Sequence, residues 1–78
     1  MDEKTKTNLQ TRLDEIHANV KKLDEGVAQT QREFRKGDLQ AAADALSHSS
    51  YTLEHLQEEM GEALTTLADA GIEPGPAA

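Results

Sequence analysis

Large apolar residues recur along this chain with a spacing that leaves little choice of fold. They fall at Leu9, Leu13, Ile16, Val20, Leu23, Val27 and Phe34, in steps of 4, 3, 4, 3, 4 and 7, and Thr30 fills the one empty slot. Apolar residues three or four apart share one side of an α-helix, and a stripe that keeps a seven-residue repeat packs along a narrow seam. In heptad letters, Leu13, Val20, Val27 and Phe34 are a positions, and Leu9, Ile16, Leu23 and Thr30 are d positions. A second stripe runs Leu39, Ala42, Leu46, Ser49, Leu53, Leu56, Met60, Ala63, Leu67, Ala70, again in steps of 3 and 4.

Arg35-Lys36-Gly37-Asp38 separates the stripes. Glycine suits the left-handed residue that closes a helix, cations suit the helix's negative end, and aspartate is a good N-cap for the next helix. The spacing therefore predicts helix 1 over about residues 3–36 and helix 2 over about 39–70, with Asp2 or Thr7 as the first cap. Gly71 is expected to close helix 2, with Ile72 folding back on Leu67. Residues 73–78, Glu-Pro-Gly-Pro-Ala-Ala, are expected to form a frayed tail after a helical domain of residues 1–72. A short turn between two long helices makes an antiparallel αα-hairpin, so the fold class is all-α.

A turn at Gly37 pairs residues whose numbers sum to about 71–74, so Arg12 is expected to face Glu59, Lys6 to lie near Asp69 and Gly26 beside Ala45. The competing reading breaks helix 1 at Gly26 into two shorter helices. The heptad phase passes through Gly26 unchanged, which favours one helix, and Gly26→Ala is then expected to stabilise it by up to ~1 kcal/mol unless Ala45 lies too close.

Composition narrows the function classes. Eight Lys+Arg against fifteen Asp+Glu leave a net charge of −7, the wrong sign for holding nucleic acid by its phosphates. There is no cysteine, which removes disulfides, thiolate metal sites and thiol catalysis. The longest apolar run is Ala41 to Ala43, too short to cross a bilayer, and Met1-Asp2-Glu3-Lys4 does not open a signal peptide. A cytoplasmic location is the expectation. With 36% hydrophobic residues and only Phe34 and Tyr51 as aromatics, the chain is poorly supplied to build both a core and a walled catalytic cavity. The reading is a non-enzymatic protein without a cofactor.

Residues 1–36 hold all eight Lys and Arg with seven acids, whereas residues 37–78 hold eight acids and no Lys or Arg. Opposite charge across the hairpin favours the antiparallel register, and the acidic helix 2 also offers an anionic, DNA-mimic-like surface to a basic partner protein. His55, Glu58, Glu59 and Glu62 share one outer region of helix 2 and are the candidate metal ligands, although a metal needs three or four converging donors.

A single hairpin buries one stripe from each helix and leaves the flanks wet, which a chain this small can hardly spare. Helix 2 carries extra apolar residues beside its stripe, namely Ala41, Ala43, Ala45 and Leu64. A second hairpin docking there gives a homodimeric four-helix bundle. The leading functional reading is thus a self-associating protein-interaction or assembly module, with a basic or helical protein as the other class of partner. Metal binding through helix 2 and anionic inhibition are the alternatives.

Overall fold

In the computed structural model, which describes residues 1–75, two long helices lie side by side: α1, Glu3–Arg35, and α2, Leu39–Asp69. Their boundaries follow from local chemistry. Asp2 caps α1, its carboxylate accepting from the Thr5 N–H at 2.7 Å. Hydrogen bonds from Thr5, its side chain foremost and then its N–H, hold the Asp2 carboxyl below its ordinary value. A lowered carboxyl favours the fold above its unfolded pKa, and that contribution is lost as pH falls through the lowered value.

Both helices end on the same backbone motif. Gly37 and Gly71 each take φ +82°, the left-handed region where a side chain is strained. Around Gly37, Asp38 N–H donates to Glu33 C=O and Gly37 N–H to Phe34 C=O, each at 3.0 Å. Around Gly71, Ile72 and Gly71 donate to Leu67 and Ala68 C=O, each at 2.9 Å. These are Schellman ends, which satisfy carbonyls that an open helix end would leave unpaired. Lys36 and Ala70 are the C-caps, so each helix stops one residue before the expected limit. Asp38 serves twice: its N–H closes α1, and its carboxylate caps α2 by accepting from Ala41 N–H at 3.0 Å. The turn is consequently only Lys36-Gly37-Asp38. Residues 72–75 have no regular structure, and the rest of the expected tail, 76–78, lies outside the described residues. No described helix is long and apolar enough to cross a membrane.

The helices meet along a different seam from the one the stripes suggest. On α2 the buried residues are Ala42, Ala45, Ser49, Leu56, Glu59 and Ala63. On α1 the half-buried ones include Leu9, Arg12, Ile16, Asn19, Leu23, Gly26 and Thr30. These are d and g positions. The expected a residues Leu13, Val20, Val27, Phe34, Leu39, Leu46, Leu53 and Met60 are all exposed, and of the a row of α2 only Leu67 is half-buried. Side-chain size accounts for the rotation. Beside Arg12, Asn19, Glu33 and Glu59, the g row offers Gly26, Ala45, Thr52 and Thr66, small groups that let two helix axes approach, while the a row from Leu13 to Phe34 and from Leu39 to Leu67 holds large apolar side chains throughout.

The closest approach is at Gly26. A Cβ there would collide with the Ser49 hydroxyl, which is buried and donates to Ala45 C=O at 3.0 Å. α1 runs unbroken through Gly26, and the residue that crowds it is Ser49, not Ala45. The expected stabilisation by Gly26→Ala is therefore reversed. Overpacking costs ~1–3 kcal/mol, against a helix-propensity gain of ~1 kcal/mol. Gly26→Ala should lower the melting temperature, and adding Ser49→Ala should bring it back to or above the wild-type value. Thermal melts of the two single variants and the double variant check this.

Candidate association face

Rotation of the seam has a geometric result. With d and g turned to the neighbour, the a position of each helix points about 90° away from the seam, at ~100° per residue. Reversing one helix reverses that sense, so in an antiparallel pair both a rows emerge on the same side. The hairpin, 52 × 27 × 15 Å, is thus a slab with one apolar front. Leu13, Val20, Val27 and Phe34 line one half of it, and Leu39, Leu46, Leu53 and Met60 the other. Exposure is greatest near the turn, at 65% for Phe34 and 63% for Leu39. Behind the front the hairpin buries little apolar material of its own: Ala42, Ala45, Ala63 and a single large side chain, Leu56.

The back of the slab is polar. Arg12 reaches across to an ion pair with Glu62, one turn beyond the expected partner Glu59. Lys6 pairs with Glu3 on its own helix, 3.8 Å away, rather than with Asp69. The cross-helix pairs Arg12/Glu62, Gly26/Ser49 and Asn19/Glu59 set a register whose sums run from 74 to 78, at the end of the expected range and past it. Arg35 and Leu39, the last and first helical residues at the turn, already sum to 74.

Four residues were expected to form one dimer flank, and the structure scatters them. Ala45 is buried in the seam, Ala41 is half-buried and lines a back groove with Gly26, Gln29 and His48, and Ala43 and Leu64 are exposed beside the apolar front. The candidate metal ligands are scattered too. Glu59 is buried and accepts from Asn19 Nδ2 at 2.7 Å, with His55 Nε2 at 3.8 Å. Glu62 is taken up by Arg12, and Glu58 lies with them along an open groove that also includes Gly61 and Thr65. Among the described residues, no three His, Asp or Glu converge as a metal ion needs.

The part-buried Asn19–Glu59 bond is a feature that periodicity does not reveal. Both residues occupy g positions, which a two-row reading of the stripes leaves on the rim. No family model, curated protein or solved structure matches this chain.

Proposed function

We propose that this chain is a non-enzymatic assembly module whose activity is association itself: two copies pack front to front as a homodimeric four-helix bundle. One observation carries the reading, the single face on which eight large apolar side chains stand exposed. Contiguous apolar surface of that extent marks an interaction site in a water-soluble chain. The slab measures 52 by 27 Å across, more than the ~800 Å² that each partner gives to a standard interface. Self-association also supplies what the isolated hairpin lacks, because stacking two fronts encloses both a rows between four helices and turns the half-buried Leu9, Ile16 and Leu23 toward a shared core. The polar backs, with Arg12–Glu62 and the acids of α2, stay in water.

Sedimentation equilibrium tests the reading. The expected mass at low micromolar concentration is twice 8.5 kDa. Because folding and association are then linked, the melting temperature should rise with protein concentration. A folded monomer with a concentration-independent melt overturns the proposal.

A further inference from the structure

Two hairpins can stack front to front with their turns at the same end or at opposite ends. We infer that the turns lie at opposite ends, related by a twofold axis that runs across the slab at the level of Leu53, so that each helix lies against its own counterpart in the second copy. This rests on the homodimer proposed above and specifies its partner surface.

The first support is symmetry in the apolar rows. On α1 the sizes run Leu13, Val20, Val27, Phe34, large-small-small-large about a midpoint between Val20 and Val27. On α2 the row, counted with the half-buried Leu67 at its far end, runs from Leu39 to Leu67 and is centred on Leu53. The register places these two centres side by side. Gly26 lies opposite Ser49 and Asn19 opposite Glu59, so the point midway between Val20 and Val27 falls opposite residues 52–53. A twofold axis across the helices needs both rows centred at one level, whereas an axis along the helices makes no such demand.

The second support is charge. Asp14, Lys21, Asp24 and Arg35 are exposed on the rim of α1 beside its apolar row, at b and e positions. Laid antiparallel on its own copy about that midpoint, this series brings Asp14 within two residues of the level of Arg35 and Lys21 within two of Asp24, while Asp24 comes nearly level with the second copy's Asp24. The two contacts of opposite sign, Asp14 with Arg35 and Lys21 with Asp24, favour this register.

The third is the rim of α2. Its e positions are Ala43, Ser50, Gln57 and Leu64, all uncharged. Antiparallel self-pairing sets Ala43 against Leu64 and Ser50 against Gln57, small opposite large, which suits two helices in close contact. With the turns at one end, these neutral residues face the charged rim of α1 instead, and Asp14 and Asp24 lose their cations. Glu54 serves as a probe. At the level of the axis it approaches the second copy's Glu54, whereas with the turns together it lies near Lys21.

The test uses the absence of cysteine. A nitroxide label on Lys36→Cys, exposed and on the polar back beside the turn, reports the turn-to-turn distance by dipolar spectroscopy. Opposite ends predict ~40 Å, at ~1.5 Å rise per residue either side of the axis. Turns together predict less than ~20 Å, given interaxial spacings of ~8–10 Å. A dimer with the short distance overturns the arrangement and leaves the dimer standing. A monomeric mass with no coupling overturns both. Glu54→Gln gives a second readout: several-fold tighter association supports the axis at Leu53, and weaker association overturns it.

Discussion

If two copies stack as proposed, Leu53→Asp should leave the protein monomeric at tens of micromolar. Leu53 is exposed in the isolated hairpin, so the substitution removes little from the α1–α2 seam. Its effect falls on the proposed stacked pair, where the proposed twofold axis would bring both copies of the new carboxylate to the middle of an apolar layer. Burying a carboxylate without a partner costs several kcal/mol even after relaxation, and there are two of them. A loss of that size raises the dissociation constant by a factor of ~1,000 or more, at 1.4 kcal/mol per tenfold. Tyr51→Asp is the control, since Tyr51 is 69% exposed on the opposite side of the same helix and lies off the face. Sedimentation of the two variants at matched concentrations decides the matter. Should Leu53→Asp keep the wild-type mass, the apolar front is not where two copies meet.

The second large effect concerns the part-buried polar bond inside the hairpin. Asn19→Leu takes away the group that donates to the Glu59 carboxylate at 2.7 Å and leaves that buried carboxylate without its donor, with His55 Nε2 3.8 Å away. A hydrogen bond to a charged group is worth ~1.5–3 kcal/mol, and an orphaned buried acceptor adds its own desolvation cost. For a domain of this size each kcal/mol moves the melting temperature by ~4–8 °C, so the expected drop is ~10 °C or more. Asn19→Leu with Glu59→Leu removes both polar groups from the seam, and apolar replacement of a buried polar pair is often neutral or stabilising. The double variant should therefore melt at or above the wild type, at fixed protein concentration. Equal melts for the Asn19→Leu variant and the wild type would show that the bond carries no stability.

The parts of this fold that can be read from the sequence are those decided locally. Asp2, Gly37, Asp38 and Gly71 act within one turn of their own positions, so the two helices, their ends and the turn follow from residue type and order. The seam is decided by competition between sides of the same helix, and a count of apolar spacings does not see that competition. Leu13, Val20, Val27 and Phe34 announce an apolar row but not what it faces. Gly26, Ala45, Thr52 and Thr66 held the missing information, because small residues at heptad spacing mark where helix axes come close. Asn19 and Glu59 were beyond pattern reading. Nothing in an acid on a charged helix distinguishes the buried one from its neighbours Glu58 and Glu62.

The three-residue turn has a consequence for what this chain avoids. Phe34 and Leu39, consecutive members of the apolar rows, are five positions apart, two short of a heptad. If the turn straightened and α1 ran on into α2, the two rows would lie about 140° apart around one rod, at ~100° per residue. No single partner helix could cover both, so the extended form gains nothing that the bent form lacks. Exchange of helices between bundles and end-to-end growth into filaments, the usual hazards of long helices with sticky seams and short hinges, are thereby discouraged by phase alone.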